Sequence, residues 1–146
     1  MNILLIHPNR YAQRYVSVGI GMISAVLKAA GHNVMFFDTS RYGEDMLDSA
    51  ANALNRQTGR MEEVLQFVPV KLPPIRRAKE SVSNSLNDII RSFKPGLIGL
   101  SVTSSDFAYA VSIIEQIKHY RVPIIIGGAQ AIASPIETLS VDGVDM

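Results

Sequence analysis

Residues 2–37 read NILLIHPNRYAQRYVSVGIGMISAVLKAAGHNVMFF, and the fold class follows from this stretch. Ile3-Leu4-Leu5-Ile6 is a short, unbroken apolar run. A run of that length with no polar alternation predicts a strand covered on both faces. Val18 to Gly31 follows, with Ile20, Ile23, Leu27 and Ala30 at three- and four-residue spacing, which predicts a helix with one apolar face. Gly31 stands where a left-handed helix stop is expected. Asn33 to Thr39, centred on Val34, Met35, Phe36 and Phe37, predicts a second strand. Strand, helix and strand in this order favour a parallel pair joined by a right-handed crossover.

The pattern continues downstream. Pro95-Gly96 breaks the chain before a third strand at Leu97–Val102. Asp106 is suited to cap the next helix, whose stripe is Phe107, Val111, Ile114 and Ile117. Val122–Ile126 reads as the fourth strand, and Ser134 or Pro135 opens a last helix of about two turns. A fifth strand is expected to begin near Val144. Gly143 reads as the turn before it, so the chain is expected to be a domain cut from a longer protein. The expectation is one α/β domain over 1–146, a doubly wound parallel sheet of Rossmann-like or flavodoxin-like type.

One connection breaks the rhythm. Arg41 to Phe93 is far too long for an ordinary link between strand and helix. Val82, Leu86, Ile89, Ile90 and Phe93 form the stripe of the expected crossover helix. Residues 41–75 therefore read as an insertion after the second strand. Leu47, Ala50, Ala51 and Leu54, then Met61, Val64 and Leu65, are spaced for helices, and Phe67 to Pro74 must be extended.

Composition narrows the function. The chain has 146 residues, 47% hydrophobic and 18% charged, which suits one sizeable core. A net charge of +1 gives no footprint for nucleic acid. No apolar run is long enough for a membrane span, and no signal peptide is read at the N-terminus, so a cytoplasmic location is expected. There is no cysteine, which removes thiol catalysis and any cysteine-held iron–sulfur cluster from these residues.

In an open parallel sheet, ligands bind beyond the carboxyl ends of the strands. The candidate site residues are therefore those that follow each strand. They are His7, Pro8, Asn9, Arg10 and Tyr11 after the first, Ser101, Thr103, Ser104 and Ser105 after the third, and Gly127, Gly128, Ala129 and Gln130 after the fourth. Gly19 at the start of the first helix joins them. A Gly-Gly pair lets a ligand lie against the backbone, although a tight turn alone explains it equally well. The hydroxyls of Thr103, Ser104 and Ser105 offer donors and acceptors, or simply help a helix cap. Asp38 suits a ribose or a turn. No Walker loop, nucleophile elbow or His-Glu-x-x-His motif is present. His7 alone of the three histidines stands at this edge, and no carboxylate near it in sequence is placed to orient it. No catalytic residue is assigned.

Leu97-Ile98-Gly99-Leu100-Ser101, Thr103-Ser104-Ser105 and Ile124-Ile125-Ile126-Gly127-Gly128-Ala129 together resemble the signature of cobalamin-binding Rossmann-like domains. Ile3-Leu4-Leu5-Ile6-His7-Pro8 and the run from Ser17 to His32 resemble the subgroup that precedes a radical S-adenosylmethionine barrel. The anaerobic magnesium-protoporphyrin IX monomethyl ester cyclase group and its methyltransferase relatives have this layout. The resemblance covers everything except the insertion. It implies strand order 2-1-3-4-5 with the fifth strand truncated, and a corrin lying across the carboxyl edge. The nucleotide tail of the corrinoid would then pass Ser101, Thr103, Gly127 and Gly128. It also implies a C-terminal radical S-adenosylmethionine domain as partner. That domain, and not this chain, would hold the 4Fe–4S cluster and the S-adenosylmethionine.

One departure bears on the cobalt. Methionine-synthase-type domains carry Asp-x-His-x-x-Gly after the first strand. Here Leu5 stands two before His7 and Arg10 three after it. No histidine of this chain is therefore expected to ligate cobalt, and no metal ligand is assigned. The alternative is a stand-alone flavodoxin-like domain binding FMN or another nucleotide. A receiver-like domain is disfavoured, since the acidic pair after the first strand and the aspartate after the third are both missing.

Overall fold

The computed structural model describes residues 1–9, 17–42 and 78–146. They form a four-stranded, all-parallel sheet in the order β2-β1-β3-β4 with helices on both faces. β1 (Asn2–His7) lies between β2 (Asn33–Asp38) and β3 (Leu97–Ser101), and β4 (Ile124–Gly127) follows β3. The apolar run of β1 now has its reason. With a strand on each side and layers above and below, Ile3, Leu4, Leu5 and Ile6 are all buried. Each such side chain contributes roughly 1.5–3 kcal/mol.

The side chains alternate across the sheet. Leu4, Ile6, Phe37, Ile98, Leu100, Ile124 and Ile126 pack on one face against Leu86 and Ile90 of α2 (Val82–Phe93) and Ala110, Ile113, Ile114 and Ile117 of α3 (Phe107–Ile117). Ile3 and Leu5 pack on the other face with Ile20 of α1 (Val18–Ala29). The first face carries most of the core. The stripe expected on α3 is rotated: Ile114 and Ile117 are buried, but Ala110 and Ile113 complete the face, and Val111 and Phe107 are half-buried.

Local signals position the helices. The Ser17 hydroxyl accepts from Ile20 N–H and starts α1, and Ser81 does the same for Asn84 N–H at α2. Gly31 has φ +82°, with His32 N–H donating to Leu27 O and Gly31 N–H to Lys28 O. That pair of bonds is the Schellman stop. Lys94 adopts a left-handed conformation after α2, just before Pro95-Gly96. Asp106 departs from the cap expected of it. It sits at the N-cap position of α3 but makes no capping bond, because its carboxylate accepts from the Thr103 and Ser105 hydroxyls instead.

After β4 come two short helices, α4 (Ala129–Ala133) and α5 (Pro135–Leu139), where a single helix was expected. The chain then returns along β4. Met146 N–H donates to Ile124 O at 3.4 Å and Met146 O accepts from Ile126 N–H at 2.7 Å. Those two bonds are the pattern of a parallel neighbour opposite Ile125. The described sheet nonetheless holds four strands, so the expected fifth is represented only by this contact. Gly143 turns with φ +91° beside Lys118, which pairs with Asp142 at 2.6 Å and Glu115 at 2.7 Å. These exposed contacts raise the Lys118 ammonium above its usual range and lower the Asp142 carboxyl below its own.

The insertion begins and ends at one place. Thr39–Arg41 form a 3₁₀ turn after β2, and Ala78 N–H donates to Arg41 O at 2.9 Å. The expected helices at 47–54 and 61–65 and the extended stretch at 67–74 lie outside the described residues. Among the described residues no helix is long and apolar enough to cross a membrane.

Candidate functional site

The registers bring four residues into one row at the carboxyl edge. His7 pairs with Asp38, Ser101 pairs with Gly127, and His7 stands one step beyond the Ile6–Leu100 pair. The row across the sheet is therefore Asp38, His7, Ser101, Gly127, all on the α1 side. One row in from the edge, on the same face, stand Phe36, Leu5, Gly99 and Ile125. A polar, small row thus borders an apolar one.

α1 covers this face only in part. Beside it runs a groove of about 260 Å³, with Ile20, Ile23 and Leu27 on the helix side. Its floor is Leu5, Leu97, Gly99 and Ile125, and it opens past Ser101, Gly127 and Gly128. Gly99 and Gly127 keep the floor low over β3 and β4. The face of α1 expected to be buried is only partly so. Ile20 is buried, but Ile23 is 52% exposed, because among the described residues β3 and β4 beside it carry no helix on this side. The groove-lining residues Ile20, Ile23, Leu27, Leu97, Gly99 and Ile125 were not among the sequence candidates. Gly99 was the available signal, since glycine inside a strand often marks a close approach.

The candidate residues divide. His7 is 6% exposed, and among the described residues its Nδ1 is the one buried side-chain nitrogen or oxygen without a hydrogen-bond partner. Pro8 and Asn9 are buried behind it. Arg10 and Tyr11 lie outside the described residues. Ser101, Gly127 and Gly128 line the groove. Thr103, Ser104 and Ser105 form the loop after β3. Thr103 Oγ1 donates to Asp106 at 2.8 Å and lies 2.9 Å from Ser105 Oγ, so Asp106 orders this loop. Ala129 is exposed at the start of α4.

Gln130 and Gly128 have structural work. Gln130 is buried and its Nε2 donates to Glu137 of α5 at 3.2 Å, so it links the two short helices. Gly19 is exposed, and a side chain there would meet nothing closer than Ser17 Oγ at 3.9 Å, so no close approach requires it. Gly128 also has a backbone reason for being glycine: φ is +95°, and a Cβ would lie 2.7 Å from Val102 O. The tight-turn reading of the Gly-Gly pair therefore holds for Gly128, while Gly127 borders open groove.

Thr39 is the polar residue that sequence reasoning left out of the site. Its hydroxyl accepts from Asn9 N–H at 2.8 Å and donates to His7 O at 3.4 Å, tying the end of β1 to the end of β2. Thr39→Val keeps the shape and strands a buried N–H. We expect it to lower unfolding free energy by about 2 kcal/mol in urea denaturation; a change under about 0.5 kcal/mol would show that the tie contributes nothing. Asp38 takes the turn role: its carboxylate accepts from Ser40 N–H at 2.9 Å and Ser40 Oγ at 2.8 Å. A second recess, about 500 Å³, lies at the β2 edge among Phe36, Asp38, Arg41, Tyr42, Ala78 and Ile89. It adjoins the place where residues 43–77 leave and return.

Comparison of the chain with family models, curated proteins and solved structures finds no match.

Proposed function

We propose that this chain is the cobalamin-binding module of a radical S-adenosylmethionine enzyme of the methyltransferase or cyclase type, working in the cytoplasm. The observation that carries the reading is the groove beside α1, apolar along its length and bordered at the carboxyl edge by Ser101, Gly127 and Gly128. A ligand fitted to it has an apolar end and a polar continuation past Ser101 and Gly127. The nucleotide tail of a corrinoid has that form. Two features of the chain fit the group: Gly127 leaves a cradle that a larger side chain would fill, and His7 holds a buried polar atom with no internal partner. Ser101, Gly127 and Gly128 would border the tail, with the Thr103–Ser105 loop held in place by Asp106. When bound, the corrinoid supplies alkyl-transfer or radical chemistry at cobalt. This chain's residues bind it, orient it and shield the tail from water. S-adenosylmethionine cleavage at a 4Fe–4S cluster is assigned to a separate radical S-adenosylmethionine domain.

The flavodoxin-like reading draws no support from Asp38, whose carboxylate oxygens are both engaged by Ser40. Titration with hydroxocobalamin, FMN and NAD, followed by absorbance and thermal stabilisation, tests the choice. We expect a response to hydroxocobalamin alone. A response to FMN or NAD with none to hydroxocobalamin would overturn the reading. At saturation, wild type and His7→Ala are expected to give the same cobalt spectrum, because His7 is the last residue of β1 and its side chain belongs to the sheet face. A histidine-coordinated spectrum lost in His7→Ala would overturn that.

A further inference from the structure

We infer that His7 makes a hydrogen bond to the polar linker of the ligand in the α1-side groove, at a hydroxyl or phosphate oxygen of the sugar-phosphate that joins a groove-filling base to the remainder of the molecule. The assignment rests on the cobalamin reading and adds the residue that recognises the linker. Three observations carry it. His7 is 6% exposed, yet its Nδ1 has no hydrogen-bond partner. Buried polar groups in folded proteins nearly always have one, so the one exception among the described residues, at the carboxyl edge, points to a ligand. His7 also occupies the polar row between Asp38 and Ser101, bordering the apolar floor formed by Leu5 and Gly99. The groove reaches the sheet edge past Ser101 and Gly127 of that row, and His7 stands next to Ser101. Finally, two nearby polar groups are already engaged. Asp38 holds Ser40, and Thr103 donates to Asp106.

The backbone holds His7 in place. Its carbonyl accepts from Thr39, and Thr39 also holds Asn9 N–H. The end of β1 that carries the imidazole is therefore fixed by the neighbouring strand. A neutral imidazole nitrogen serves as donor or acceptor according to tautomer, which matches both a sugar hydroxyl and a phosphate oxygen.

The test compares hydroxocobalamin with cobinamide, which lacks the nucleotide, on the full chain. His7→Leu is expected to weaken hydroxocobalamin binding about tenfold and leave cobinamide binding unchanged. His7→Asn, which keeps a polar atom near the Nδ1 position, is expected to stay within about threefold of wild type for both. Unchanged hydroxocobalamin affinity in His7→Leu, or an equal loss for both probes, overturns the assignment while leaving the cobalamin reading intact. Absence of any hydroxocobalamin binding by wild type overturns the reading and the assignment with it. Should His7→Leu fail to fold, the ¹⁵N imidazole signal of His7 in wild type decides. A shift with hydroxocobalamin and not with cobinamide supports the hydrogen bond, and no shift overturns it.

Discussion

Gly128→Ala is expected to lower the unfolding free energy by about 4 kcal/mol, the largest loss we foresee from a single methyl group in this chain. Gly128 has φ +95° and ψ −168°, a region that only glycine populates freely. An added Cβ would stand 2.7 Å from Val102 O and 2.9 Å from Val102 N. Neither atom can move away cheaply. Val102 N–H donates to Gly127 O at 2.9 Å, and Val102 O accepts from Gln130 N–H at 3.1 Å. The methyl group therefore costs both backbone strain and one of two buried hydrogen bonds. A domain of this kind has only about 5–15 kcal/mol in total, so the urea midpoint should fall steeply. A loss below about 1 kcal/mol would mean that the β4–α4 turn relaxes freely and that its geometry is not set by Val102.

Gly127→Val is expected to separate folding from binding. Here a Cβ would meet only Leu100 O, at 4.0 Å, and the residue ends β4 in ordinary strand conformation. β-branched residues suit such positions, so stability should stay level or rise by up to about 1 kcal/mol. The new side chain points to the α1 side, as Ile125 does two residues earlier, and enters the groove. Hydroxocobalamin affinity should drop at least about hundredfold, or about 2.7 kcal/mol. Wild-type affinity in this variant would remove the ligand from the groove and with it the proposed function. Full loss of binding in a protein that melts like wild type is the outcome that places the ligand there.

Much of the fold was legible because its signals are local. The apolar run of β1, the Gly31 stop and the Pro95-Gly96 break each act within a few residues of themselves, and each does what it was read to do. Errors arose where a residue had two physically reasonable partners. Asp106 was read as a cap and instead holds Thr103 and Ser105, because the 3₁₀ turn at Ser104–Asp106 brings those hydroxyls to it. Gln130, a candidate for the ligand edge, donates its side-chain N–H to Glu137, because α4 and α5 fold against each other. The stripe on α3 was misphased because Ala110 is small enough to lie against the sheet beside Ile113 and Ile114.

The candidate edge was legible as well, since the ends of parallel strands are set by the same apolar runs. The groove was not. It is made by Leu5, Gly99 and Ile125 from three strands and Ile23 and Leu27 from a helix, and register alone sets them side by side. Residue order along the chain determined that this protein is an alternating α/β domain with a parallel sheet and small residues where its strands end, because apolar period, caps and turns are short-range properties. Tertiary structure alone decided that Asp38, His7, Ser101 and Gly127 form one row, that among the described residues His7 Nδ1 is the buried atom without a partner, and that α1 leaves part of its face open. Those facts depend on how strands distant in sequence are aligned, and alignment is settled only when the whole sheet packs.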